Sequence, residues 1–300
     1  MSNEPLFLRD IGASCDGKHV SARLNDGEIT IWGPDSPEPV ARCKPGFSGG
    51  ESRYQIDPSR GLVYSGTWED GLTCFDYKAK KVIWRRKDII GIQTVNISTT
   101  LPDSLFLTLE APDHVRWFQK AVSGVAELDA HTGKTRSVKP IGDWLWVHPE
   151  KPVLVTTNRG GGKNVIRLYD ADQKELGSIG MSNFAVMDVA FSDDLIAVAE
   201  GKTGVRVMDY RGKLVSSYLP PGRNPNCITL AFSGGYLHVH DSWDGSYLLT
   251  LNPTSGELLS EYKRASGGDV CFINDGSSFV NVRGEVCSSS DGTVQFALEP

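Results

Sequence analysis

The stretch Val125-Ala-Glu-Leu-Asp-Ala-His-Thr-Gly-Lys-Thr-Arg-Ser-Val138 reads as a strand, a tight turn and the start of a second strand. Related words recur at Thr73–Val82, Arg167–Leu176, Arg206–Leu214 and Leu249–Leu258. In each, an apolar residue is followed by Asp or Asn, a polar turn, usually a Gly, then Lys or Glu and a new apolar run. The Asp or Asn side chain bonds the backbone two residues on and starts the turn, and Gly supplies positive φ at its end. A strand-built period of roughly 40 residues is the signature of β-propeller blades.

Working outward from these words, the 300 residues divide into seven blades, at 11–45, 53–88, 92–141, 143–180, 185–219, 226–264 and 268–300. Asp16-Gly17 and Asn25-Asp26-Gly27 supply hairpin turns in the first. The third carries an insertion, Ala111–Ser123, between its second and third strands. The last blade offers only three strands, Val270–Ile273, Ser278–Val282 and Thr293–Leu298, whereas residues 5–10 (Pro-Leu-Phe-Leu-Arg-Asp) form a spare strand at the start. The expectation is therefore an all-β, seven-bladed propeller of four-stranded antiparallel blades, closed by residues 5–10 pairing in the last blade, so that no sheet edge stays open at the join. With 39% hydrophobic residues the chain can fill one such domain, spanning 1–300. No helical period of useful length interrupts the strands.

The pattern Phe75-Asp76 … Lys81-Val82-Ile83-Trp84-Arg85, together with Leu128-Asp129-Ala130-His131-Thr132-Gly133-Lys134, resembles the WD40 and the PQQ-like (quinoprotein-like) repeat propellers. The diagnostic WD40 signature is not met, because Trp243-Asp244 and Trp68-Glu69-Asp70 fall between second and third strands rather than closing a third. The quinone-binding motif is not met either. What the resemblance implies is a rigid disc whose loops bind other macromolecules.

The net charge of −6 argues against nucleic acid or an anionic membrane as the main partner. The first residues lack a basic stretch followed by an apolar one, and no apolar run is long enough to cross a bilayer, so a cytoplasmic protein, monomeric on its own, is expected. Six scattered Cys without a Cys-x-x-Cys pair fit small hydrophobes in a reducing compartment.

Motifs that could carry chemistry are few. His238 and His240 share one face of a strand at a spacing used by metal sites, but no further His or Cys is placed to complete a ligand set, and they read as core histidines. Asn158–Lys163 is Gly-rich, yet its spacing and the following strand exclude a P-loop. Asp193-Asp194 and Glu69-Asp70 read as turn acids, and Ser288–Gly292 as a loop. No catalytic residue, metal or cofactor is expected.

The loops between second and third strands, and those between blades, share one rim. That rim collects Trp68, His114, Arg116, Trp117, Phe118, Arg159 and Trp243 from the first kind of loop, and Phe184 and Arg223 from the second. Aromatic and Arg side chains are over-represented at binding hot spots because they bury large area at low entropy cost. These nine residues are the expected contact set for a protein partner. The sharpest expectation is a bacterial immunity or inhibitor protein that neutralises a cytosolic toxin or effector. A WD40-type scaffold, or a hydrolase or lyase with its site at the channel mouth, are the alternatives.

Overall fold

A computed structural model describes residues 8–24, 28–45, 52–110, 124–157, 164–182, 185–200, 203–221, 227–242, 246–264 and 269–299. Among the described residues, twenty-eight strands form seven four-stranded antiparallel sheets, each a simple meander, arranged as a ring. The first blade comprises β1 (Arg9–Ala13), β2 (Val20–Arg23), β3 (Ile29–Trp32) and β4 (Pro39–Cys43). The second comprises β5 (Ser52–Asp57), β6 (Leu62–Thr67), β7 (Gly71–Asp76) and β8 (Lys81–Arg86), and the third β9 (Ile92–Ser98), β10 (Leu101–Leu109), β11 (Gly124–Asp129) and β12 (Thr135–Lys139). The fourth has β13 (Trp144–Val147), β14 (Val153–Thr157), β15 (Asn164–Asp170) and β16 (Glu175–Ser182). The fifth has β17 (Val186–Phe191), β18 (Leu195–Glu200), β19 (Gly204–Asp209) and β20 (Leu214–Tyr218). The sixth has β21 (Cys227–Ser233), β22 (Tyr236–Asp241), β23 (Tyr247–Leu251) and β24 (Leu258–Lys263), and the seventh β25 (Val270–Ile273), β26 (Ser278–Asn281), β27 (Glu285–Ser288) and β28 (Val294–Ala297).

The turn word behaves as its chemistry demands. Asp129 Oδ1 accepts from the backbone N–H groups of His131 and Thr132 at 3.1 and 2.9 Å, and Asn252 Oδ1 accepts in the same way from Thr254 and Ser255. The glycine has a second duty that its φ alone does not reveal. A Cβ on Gly133 (φ 69°) would stand 2.7 Å from the Trp84 ring of the preceding blade, and one on Gly256 (φ 76°) 2.6 Å from the Ser217 carbonyl. In the fourth blade Gln173 takes this position at φ 58°, and its buried side chain donates to Glu127 Oε2 and Ser137 Oγ of the third blade.

A blade packed between two neighbours has no wet face, so its middle strands are apolar on both sides rather than alternating. Leu105 and Leu107 of β10 face the second blade, whereas Phe106 between them faces the fourth. Ala197 and Ala199 of β18 pack on the sixth blade, and Ile196 and Val198 on the fourth. The core is accordingly seven separate apolar wedges, one for each interface between consecutive blades. The five described cysteines are unpaired thiols, four of them buried in or beside these wedges. Desolvation pushes Cys43, Cys74 and Cys271 up to about 12, where they act as small hydrophobes.

Ring closure differs from the sequence expectation. The last blade is complete without residues 5–10: β27 is the strand that seemed missing, and β28 is its outer strand. Residues 9 and 10 belong to β1, the innermost strand of the first blade, and residues 5–7 lie outside the described residues. The reason is packing. Val286 and Cys287 are both buried, which draws a four-residue segment between Gly284 and Ser289 into the sheet. Closure instead uses the seventh wedge, where Leu8 and Leu298 from opposite ends of the chain pack with Trp32, Val280 and Val286. Leu8 N–H donates to Val282 O at 2.9 Å, Glu299 N–H to Pro37 O at 2.7 Å, and Trp32 Nε1–H to Glu299 O at 2.9 Å.

Trp32→Ala is expected to lower stability by about 3–5 kcal/mol, the range for emptying a buried aromatic site, because this fully buried ring both fills the closing wedge and ties down Glu299. Val294→Ala, at an exposed position of β28, is expected to stay within about 0.5 kcal/mol. Denaturant midpoints of the two variants check the contrast.

Candidate functional site

A meander places the first-to-second and third-to-fourth turns of every blade on one face of the disc, and the second-to-third loops and blade connections on the other. On the second face, the structure describes one of the nine expected contact residues. Trp68 lies in the β6–β7 turn, half-buried, its carbonyl accepting from Gly91 N–H at 2.8 Å. With Arg53, Ile92 and Gln93 it borders a cavity of about 330 Å³, and two of these residues are joined, Arg53 Nε–H donating to Gln93 O at 3.2 Å. His114, Arg116, Trp117, Phe118, Arg159, Phe184, Arg223 and Trp243 lie outside the described residues, as does the Ala111–Ser123 insertion.

On the first face, sequence reasoning missed a larger feature. Where the inner strands meet, a cavity of about 1010 Å³ opens at the mouth of the channel, lined by turns from six of the seven blades. Its wall includes Trp146, Phe191, Phe232 and Phe272, and its edge carries Asp16, Glu150, Asp193, Asp194 and Asp275. Asp193-Asp194 occupy a turn, as expected, and the Asp193 side chain is 88% exposed. The signal that could have found this site is positional: each of these five acids falls in, or next to, a first-to-second-strand turn, and such turns converge once the blades are in register.

The mouth is preformed because neighbouring turns bond to one another. Asn274 N–H donates to Gly17 O at 2.7 Å, joining blades seven and one, and Cys15 N–H donates to Ile56 O at 3.0 Å, joining one and two. Ser98 Oγ donates to His148 O at 3.0 Å, joining three and four, while Lys151 Nζ reaches the Asp193 carbonyl, joining four and five. Below the turns, Asp188 of β17 gathers three inner strands. Its Oδ1 accepts from Trp146 Nε1 of blade four at 3.1 Å and from Val189 N–H at 2.9 Å, and its Oδ2 accepts from Leu230 N–H of blade six at 2.8 Å.

Burial displaces ionisable groups here and in the neighbouring wedge, two histidines and an aspartate among them. Desolvation, reinforced by the Lys151 charge, lowers His148 to about 4, and desolvation with Arg264 lowers His240 to about 3. Desolvation raises Asp188 to about 6 despite its three donors. His238 and His240 are core residues, bonded to Thr250 Oγ1 at 3.2 Å and Ser246 Oγ at 2.8 Å respectively. Among the described residues no group of three or more His, Cys, Asp and Glu side chains is arranged to hold a metal ion.

No family profile and no curated protein matches the chain. Solved structures do. The chain is similar to the β-propeller domain of Cps50 (Swd1) from Myceliophteria thermophila, at TM-score 0.68 and 11% identity over 97% of this chain and 95% of that one. It is also similar to the computationally designed protein Ika8, at TM-score 0.66 and 14% identity over 94% of this chain and 81% of that one. At these identities the likeness is one of fold. It bears out the β-propeller fold, whose seven blades are this chain's own seven sheets, and leaves the WD40 and quinoprotein-like resemblances without a shared family.

The displaced groups fix opposing pH dependences. An unfolded His titrates near 6.5, so below that pH the unfolded chain binds protons that His148 and His240 refuse when folded. Their contribution is full above about 6.5 and is lost as the pH falls through the folded values of about 4 and about 3. Asp188 acts in reverse: folded, it holds a proton from the usual carboxylate range up to about 6, so acidification through that window stabilises the fold. Asp188→Asn removes the opposing slope, and the melting temperature of the variant is expected to fall more steeply than that of the parent from neutral to mildly acidic pH. Parallel melting curves would show that Asp188 is not the group responsible.

Proposed function

We propose that this chain is a non-enzymatic, protein-binding propeller. The observation that carries the reading is the set of hydrogen bonds between neighbouring blades, at the turns of the channel mouth and equally at the Trp68 rim, where Gly91 N–H donates to Trp68 O and Arg53 Nε–H to Gln93 O, which hold both faces of the disc in place before any partner arrives. A preformed surface loses little entropy on association, so its contact area is converted to affinity with small losses. Trp68, half-buried beside Arg53, puts an aromatic and a cation on the opposite rim, the pairing that binding hot spots favour. The sharper form of the proposal is an inhibitor or immunity protein that holds a toxin or effector inactive. The mild net acidity of −6 supports it to the extent that the partner is basic.

The tagged chain, used as bait in lysate of its native cells, is expected to retain one protein, and co-expression is expected to relieve that protein's toxicity in a foreign host. Retention of a multi-subunit complex with no toxic member would replace the inhibitor reading by a scaffold. Trp68→Ala and Arg116→Ala are each expected to weaken capture at least tenfold, since central anchors cost about 2 kcal/mol or more. Lys134→Ala, in a third-to-fourth-strand turn, is expected to leave capture unchanged. The opposite ordering would move the interface to the other face.

A further inference from the structure

The outer edge of the second blade runs against the charge of the molecule. Residues 76–88 hold six cations, Lys78, Lys80, Lys81, Arg85, Arg86 and Lys87, against two carboxylates, Asp76 and Asp88, in a chain whose net charge is −6. Both carboxylates are engaged locally: Asp76 Oδ1 accepts from Ala79 N–H at 2.7 Å, and Asp88 Oδ2 from Arg86 Nη2–H at 2.6 Å. The arginines are occupied as well, Arg85 donating to Thr73 Oγ1 and Arg86 to the Gly133 carbonyl. The four lysines are exposed, and among the described residues their ammonium groups have no ion pair or hydrogen bond. Unpaired like charges set side by side repel, so the fold itself gains nothing from this grouping.

A second observation is apolar. β8 is the outermost strand of its blade, and Val82 and Ile83, directly after Lys81, are 44% and 43% exposed. Among the described residues no other outer strand exposes two large apolar neighbours. Cys74 pairs with Trp84 and Phe75 with Val82, which leaves Ile83 as the extra residue of a bulge. A bulge interrupts the ladder and re-aims a side chain, so the strip offers side chains to a partner rather than a row of backbone groups. Lysines and a bulge are enough to guard a sheet edge. An edge that is only guarded has no use for two adjacent exposed aliphatic side chains.

A third observation is the backbone of Lys80, at φ 53°. It stands four residues after Asp76, where Gly133 follows Asp129 and Gly256 follows Asn252. An L side chain is strained in this region and glycine is not, so the second blade keeps a cation where the repeat has a relaxed alternative.

We propose that residues 78–83 dock an acidic, extended segment of a protein partner, one in which a run of carboxylates adjoins aliphatic residues. The carboxylates meet Lys78, Lys80 and Lys81, and the aliphatic side chains lie on Val82 and Ile83. Complementary charge speeds encounter and turns away basic segments, and the apolar pair adds contact that salt does not screen. The inference rests on the protein-binding reading but uses a different surface from Trp68, so the two can fail separately.

The test uses the whole chain and a labelled, capped peptide, Gly-Val-Leu-Glu-Glu-Glu-Leu-Val-Gly, read by anisotropy at low and at physiological ionic strength. Two comparison probes carry Lys in place of every Glu, or Ser in place of every Val and Leu. The acidic peptide is expected to bind at least tenfold more tightly than the Lys peptide, with the margin shrinking as salt is added. Its margin over the Ser peptide is expected to persist at both salt levels. The double variant Lys80→Glu with Lys81→Glu, at two exposed positions, is expected to invert the charge preference while keeping the parent melting temperature. Lys80→Gly is expected to weaken the acidic peptide while raising the melting temperature, a combination that a purely structural lysine would not give. Equal binding of the acidic and Lys peptides, or an unchanged preference in the double variant, would overturn the proposal. Equal binding of the Ser peptide would overturn it too, because charge alone would then account for the contact. Phosphatidylserine vesicles that retain the chain through Lys80 and Lys81, with no binding of the acidic peptide, would put a lipid surface in the peptide's place. Any of these results alongside successful capture of a partner through Trp68 leaves the protein-binding reading standing and removes only this site.

Discussion

Every blade of this molecule is a sheet with two faces to cover, and only its two neighbours can cover them. That constraint explains the sequence more fully than any motif does. It demands middle strands that are apolar on both sides, such as Leu105, Phe106 and Leu107, whose side chains serve different wedges although they are consecutive in the chain. It also demands that the ring close, since an open ring would leave two apolar faces in water. The seven wedges are thus equivalent in kind, and the fold has no central core to which all of them report.

The channel follows from the same constraint. Seven sheets standing around an axis cannot all meet at their inner strands, and the groups that line the gap must be polar and bonded or be roofed by turns. Asp188 illustrates the first solution, tying Trp146 and the Leu230 amide to one carboxylate. The turns bonded across blades illustrate the second. A carboxylate in that position is held at the edge of ionisation by burial, which couples the inner wall to pH without any dedicated switch.

Much of the fold was legible because its signals are local. An Asp or Asn that accepts from amides two and three residues on declares its turn in five residues, and the words at Asp129 and Asn252 do so. The error at β27 was of the opposite kind: Glu285–Ser288 has only Val286 and Cys287 as apolar content, and its strand state is decided by pairing with β26 and β28. The expected rim was read from residue types, and Trp68 does stand there beside Arg53. The acidic mouth was not read, because Asp16, Glu150, Asp194 and Asp275 belong to four different blades and become neighbours only through the register of the whole ring.

The Trp32 wedge differs from the other six in one respect: no connecting segment joins the two blades that form it. Across every other interface a short linker keeps the partners at high effective concentration, so a transient separation is reversed before it spreads. Across this one the tether is the rest of the molecule. The seam between the chain ends is therefore the least tethered of the seven, and the hydrogen bonds of Leu8 with Val282 and Glu299 with Pro37 act as a clasp added to the packing there. A circular permutant that joined residues 8 and 299 through a linker and cut elsewhere would tether this wedge like the others and pass the untethered seam to a new one.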